Sequence, residues 1–393
     1  MLLSIILTFI IGSYTGHVNT RVFRQGDFKA FYTAGVIVRE SYDEGNINLY
    51  DIEKQRAIQN KYGIIGAGEM LTAYFNPPAY AWLMVPFSKM PYLLALNIWR
   101  FLSVLIALFS IIFITKNLKI DFKWWDTLTI LIVSFPGFAV IISGQNTFLF
   151  IGLYAIAYML FTKRHDFTAG VILGFGALKP QLFLFLPVVL VFQKRWNALF
   201  GFTMGVLLIF AASVLLVGQD GIVEYFKIFT TNVYLDGIQV QAYKMHSFPA
   251  FIRLILGLEI NPVYLAFFTF SVLMVLFGYL SLKRGFKFEL SGSLSLSILG
   301  TLIVTPHLFH YDLTLLLLPF LVIYSWTKDK KQSYIMSRNS RIALLALFIY
   351  LWLGFFIIEI IGVQFSVLLI IYLFVTNFKK GFQLETGVNH NKV

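Results

Sequence analysis

The chain has 393 residues, of which 58% are hydrophobic and only 13% charged, with a formal net charge of +12. A soluble globular chain carries about 25% charged residues, so apolar stretches recurring from end to end mark an all-α polytopic membrane protein; the short alternating segments of a β-barrel are absent. Cys is absent too, which removes disulfides, thiol catalysis and thiolate metal sites, and the positive-inside rule accounts for the charge without a nucleic-acid partner.

Apolar spans are predicted at 1–16, 92–115, 124–142, 146–162, 167–178, 180–193, 197–217, 262–282, 289–305, 309–326, 342–357 and 358–376, about 12 transmembrane helices in one integral membrane domain over 1–378. The stretch 1–16 has no basic n-region and no A-x-A-like site before Tyr14, so it reads as a retained anchor. Two long loops follow from this threading, 17–91 and 218–261. In the first, Phe28, Phe31, Tyr32, Gly35 and Val38 are spaced as one face of an amphipathic helix over 28–41, expected to lie at the membrane interface. A polar helix is expected over 50–61. The segment 74–90 carries three prolines, which suits a re-entrant or interfacial helix starting at Pro77-Pro78. Its Tyr74, Phe75, Tyr80 and Trp82, with Tyr32, are expected as interfacial anchors or as stacking platforms for sugar rings. The pair 167–178 and 180–193 reads as two short helices joined at Lys179-Pro180. Residues 379–393 form a polar cytoplasmic tail, expected to be disordered.

The clusters Lys116/Lys119/Lys123, Lys163/Arg164, Lys194/Arg195, Lys283/Arg284/Lys287, Lys328/Lys330/Lys331/Arg338/Arg341 and Lys379/Lys380 all thread to one side, the cytoplasm, together with both termini. The unusual polar residues thread to the other side. They are Asp27, Gln145-Asn146, Lys179 with Gln181, Lys244 and His246, and His307, His310, Tyr311 and Asp312. Asp27 can cap the helix starting at Phe28, and a cap and an acid–base group are not exclusive. Gln145-Asn146 can be a plain turn. Lys179 can snorkel or can hold an anion as a point charge. His307 and His310 would need a third ligand such as Asp312 to hold a metal, and no further cluster supports one. Ionisable groups at membrane depth are costly and mark function, and here they share one face.

The ordered motifs GDFKAFYTAG, NLYD, YFNPPAYAWLMVPFSKMP, SGQNTFLFIGLYAIAY, AGVILGFGALKPQLFLFLPVVLVFQKRW and TPHLFHYDLTLLLLP make the chain resemble glycosyltransferase family 87 from about residue 24 to 320. The resemblance implies a GT-C fold and transfer of a hexose, mannose by default, from a polyprenyl-phosphate donor to a glycolipid or glycan acceptor. It implies an active site on the outer face of a bacterial cytoplasmic membrane, with no cofactor, no metal and no obligatory protein partner. It also implies an acid in the first outer loop, and only Asp27 fits that place, as general base of an inverting reaction. Lys179 and His310, with His246 and Lys244 behind them, would hold the donor phosphate. Gln145, Asn146, Tyr32, Tyr311 and Gln181 would contact substrate. Thr305-Pro306 ahead of His310-Tyr311 favours His310 over His307, whereas Lys244-Met245-His246-Ser247 departs from the family's Asn-Gln-Ser-Leu. A lipid-linked glycan transporter would instead need polar residues at the bilayer midplane, where only Arg100 and Glu359 are exceptions and both thread near span ends. A polymerase or ligase using a diphosphate-linked donor would call for more outer Arg.

Overall fold

The computed structural model describes residues 26–42, 47–65, 71–229, 242–257, 259–284, 289–327 and 334–386. The expected anchor 1–16 lies outside them. Among the described residues the regular elements are helical, with one isolated antiparallel bridge between Met245 and Phe309.

Three short helices form a compact cap: α1 (Phe28–Ser41), α2 (Ile52–Lys61) and α3 (Pro78–Ser88). Asp51 starts α2 by accepting from the amides of Glu53 and Lys54 at 2.9 and 3.0 Å. Gln55 then ties α2 to the neighbouring chain, donating to Leu49 O and accepting from Tyr74 N. The predicted helix 28–41 is present, but it is a core helix, not an interfacial one. Phe28, Ala34, Val36 and Ile37 are all fully buried, so both faces are covered. Thr33 hides its hydroxyl on Lys29 O at 2.7 Å, which makes the apparently polar face packable. Gly35 lets α3 approach closely, since a Cβ there would meet Met84 O at 2.6 Å. Tyr32, Tyr74 and Tyr80 are likewise buried rather than set at a lipid boundary, and only Trp82 among the expected anchors is exposed. Tyr32 donates to Met90 O at 2.8 Å and packs on Tyr92. At the far end Arg39 clamps α1 to α3 through Ser88 O. Helix α3 has 11 residues, too few to cross a bilayer at ~1.5 Å per residue.

The body begins with α4 (Tyr92–Asn117). The predicted span 124–142 is a broken pair, α5 (Trp124–Val133) and α6 (Phe135–Ser143), bent by 80°. Ser134 is extended at the break and Pro136 starts the second helix, so the hydrogen-bond ladder cannot continue through it. There follow α7 (Thr147–Thr162), α8 (Asp166–Gly174), α9 (Leu186–Phe192), α10 (Trp196–Ile228), α11 (Phe248–Leu256), α12 (Pro262–Arg284), α13 (Leu290–Val304), α14 (Leu317–Thr327), α15 (Tyr334–Ile361) and α16 (Ser366–Thr386). Helix α16 runs on past residue 378, where the apolar pattern ends. The described residues contain three helices long and apolar enough to cross a membrane, α4, α10 and α12, with the bent pair a fourth candidate. Helices α7 and α13, of 16 and 15 residues, are shorter than the roughly 20 residues of a perpendicular span, so the described helices do not reach the expected 12 by length.

Helices α8 and α10 cross at backbone contact. Gly170 and Gly174 on one, and Gly201 and Gly205 on the other, form two facing small-xxx-small stripes. A Cβ on Gly170 would lie 2.1 Å from Ala198 O, and one on Gly201 2.0 Å from Phe167 O. Such stripes drive association in lipid, where apolar side chains alone give no preference for protein over lipid. This crossing fixes α8, whose continuation carries Lys179. In α10, Gly218 (φ 68°) breaks the helix, and the segment beyond it packs Tyr225 and Ile228 onto the cap.

Candidate active site

The site is assembled around the end of α6. Gly144 takes the left-handed conformation (φ 64°) that closes this helix, and Gln145 N returns to Val140 O at 3.0 Å. Helix α4 holds the exposed carbonyls. Trp99 Nε1 donates to Gly144 O at 2.9 Å and Arg100 donates to Ile142 O. Arg100, the cation left over in the threading, thus satisfies a helix C-terminus. Gly26 presses on this same turn, since a Cβ there would lie 2.4 Å from Ser143 O, and a Cβ on Gly144 would meet the Phe28 side chain at 2.8 Å. Two glycines therefore bring the start of α1 onto the end of α6.

That contact delivers Asp27 to Gln145. Asp27 stands at the N-cap of α1, but its side chain makes no capping bond. Its Oδ2 instead accepts from Gln145 Nε2, and the Tyr311 hydroxyl is its second neighbour. The carboxylate is half-exposed. Gln145 Oε1 is engaged as well, by its neighbour's amide, Asn146 N, at 3.2 Å and by Lys179 Nζ at 3.5 Å.

Lys179 sits between two single 3-10 turns, Phe175–Leu178 and Pro180–Leu182, where Pro180 prevents the helix from continuing. Lys179 is 6% exposed, and its ammonium is paired with Asp312 Oδ1 at 2.6 Å. Thr147 donates to the same Oδ1 at 2.9 Å, and the Tyr311 ring lies 5.1 Å from Nζ. Asp312 is the residue that sequence reasoning missed as a partner. A lone cation in an apolar run demands a counter-ion, and Asp312, in another outer turn, was the available acid.

The remaining groups come from two loops joined by the Met245–Phe309 bridge, with His246 N donating to Leu308 O at 2.8 Å. His310 rests against Tyr311 and Phe135, ring centroids 5.3 and 5.2 Å away. Asp27 and Lys244 both act on it electrostatically. His246 is buried, and its Nδ1 lies 2.8 Å from Ser366 Oγ. Burial, with His310 adding to it, pushes its imidazole down to about 3, so it is neutral at physiological pH. Asn146 is fully buried and faces Tyr80, yet neither side chain closes a hydrogen bond. Tyr32 points into the cap instead of this cluster, and Gln181, half-buried past Lys179, has no hydrogen bond to it.

Two strata result. Asp27, Lys244, His310 and Tyr311 are half-exposed, while Gln145, Asn146, Thr147, Lys179 and Asp312 are buried beneath them. A partly exposed carboxylate held by an oriented amide, with an imidazole in its electrostatic neighbourhood, can take a proton from a hydroxyl beside a bound anion.

Apolar helices carrying such a polar cluster mark a membrane protein. The model of glycosyltransferase family 87 matches residues 74–306, more than half of the chain. The chain belongs to glycosyltransferase family 87 and is a membrane-associated glycosyltransferase. The matched stretch contains Gln145, Asn146, Lys179, Lys244 and His246, and it stops short of His307; Asp27 and His310 lie outside it. Neither the curated proteins nor the solved structures give a match.

Proposed function

We propose that the protein transfers a hexose, mannose as first candidate, from a polyprenyl-phosphate donor to a glycolipid or glycan acceptor. The site would face the non-cytoplasmic side of a bacterial membrane, within a GT-C arrangement of about 12 spans. The reading rests on one observation above all: the half-exposed Asp27 carboxylate, oriented by Gln145 and Tyr311 and acting on His310, on which Lys244 also acts.

Asp27 removes the proton from the acceptor hydroxyl as that oxygen bonds to the anomeric carbon. The bond between that carbon and the phosphate oxygen breaks, and its electron pair leaves with the polyprenyl phosphate. The His310 N–H and the Lys244 ammonium meet the charge that grows on the phosphate, and neutral His246 holds their loop. A phosphate leaves without an acid catalyst, and in-line attack inverts the anomeric centre, from a β-linked donor to an α-linked product. The sequence has no DxD pair of the kind used to hold a metal–nucleotide sugar, so the charge falls to side chains.

Sugar transfer by the purified protein in lipid nanodiscs tests this, with polyprenyl-monophosphate and polyprenyl-diphosphate donors offered in competition. Product is expected from the monophosphate alone. Product from the diphosphate alone, or vectorial movement of lipid-linked glycan without transfer, overturns the reading.

A further inference from the structure

We infer that Lys179 and Asp312 position the base Asp27 through Gln145 and do not grip the donor phosphate. This rests on the preceding reading of Asp27 and changes the role of the cation beneath it.

The donors of Lys179 are already used. An ammonium has three N–H bonds. Here they meet Asp312 Oδ1 at 2.6 Å, Gln145 Oε1 at 3.5 Å and the face of the Tyr311 ring, centred 5.1 Å away. The pair is walled in, with side-chain exposures of 8% and 1%. A phosphate arriving from the half-exposed stratum would have to displace Asp312, which Thr147 also holds. Lys244 is half-exposed and acts on the same His310.

What the pair does follows from Gln145. A glutamine amide can flip, exchanging its oxygen and nitrogen, and only one orientation presents N–H groups to Asp27. Lys179 and the Asn146 amide both donate to Oε1, so flipping would set donors against donors. The Nε2 group is therefore locked toward Asp27 Oδ2. Thr147, Asp312, Lys179, Gln145 and Asp27 form one chain of polar contacts in which each member fixes the next. Lys179 is in these terms a positioning residue.

The test uses the full chain in nanodiscs. Lys179→Met/Asp312→Leu removes both charges together, because a buried pair replaced by apolar residues of similar size is tolerated where a lone survivor is not. Gln145→Met removes the link alone. Each variant is assayed for kcat, donor KM and affinity for polyprenyl monophosphate. The expected result is a kcat lowered about tenfold or more, with donor KM and lipid affinity within about twofold of wild type. Combining Gln145→Met with the double variant should add little further loss, since all act on one group. A donor KM or lipid dissociation constant raised about tenfold with kcat retained, or losses that multiply, overturns the inference. If the double variant does not fold, Gln145→Met decides alone: unchanged kcat overturns the inference. If wild type uses a different lipid donor, the proposed donor is wrong, but the split between kcat and KM on the donor actually used still decides this point.

Discussion

Purified Asp27→Asn is expected to lose about 10²–10⁴-fold in sugar transfer, the range set by removing a general base. It should still bind polyprenyl phosphate and unfold at the wild-type temperature. Asn keeps the size of Asp and an oxygen that can accept from Gln145, so the contact between the start of α1 and the end of α6 survives. Helix α1 loses no cap, because the Asp27 side chain caps nothing. The carboxylate is half-exposed, so its neutralisation leaves no buried charge uncompensated. What disappears is the ability to take a proton. Turnover near wild type in folded Asp27→Asn protein would remove Asp27 from the chemistry and leave its bond to Gln145 a structural one.

Gly144→Val should damage both stability and activity. The position has φ 64°, which a β-branched residue adopts only with strain, and its Cβ would lie 2.8 Å from Phe28 Cβ and from Leu96 Cδ1. The strain and the overpacking together are expected to cost about 2–5 kcal/mol. Relief of the clash with Phe28 moves α1 away from α6, which carries Asp27 off Gln145. A lowered unfolding midpoint together with a kcat loss that persists at low temperature, where the variant is folded, is the expected pattern. A variant that is destabilised but fully active when folded would show that the approach of α1 to α6 does not set the base. Scanning fluorimetry and transfer kinetics on the same preparation separate the two outcomes.

Which parts of this arrangement could be read beforehand follows from how far each signal travels along the chain. The helix 28–41 is written in local spacing, and it is present over Phe28–Ser41. Its burial is not local: it depends on Met84, Tyr92 and Trp99 closing over it, none of which the spacing reveals. The same holds for Tyr32, Tyr74 and Tyr80, whose aromatic character suits a membrane boundary and a protein core equally. The 80° break at Ser134 was local, in Ser134-Phe135-Pro136, but hydropathy smooths over a single proline. The facing glycines of α8 and α10 were also visible, as GVILG and GFTMG, to a search for small residues four apart.

For the site, threading by basic clusters gathered Asp27, Gln145, Lys179, Lys244 and His310 onto one face without any contact information. The contacts now link Asp27, Gln145 and Lys179 directly and set Lys244 and His310 in one electrostatic neighbourhood with Asp27. The pairing of Lys179 with Asp312 spans 133 positions and belongs to tertiary structure alone. It turns a cation that looked available for an anion into one already neutralised.

The most direct measurement is a structure of the full-length protein with a polyprenyl monophosphate bound. The phosphate is expected against His310 and Lys244, on the open side of Asp27, with Lys179 still on Asp312. A phosphate seated away from Asp27, or held by a Lys179 that has released Asp312, would contradict the account.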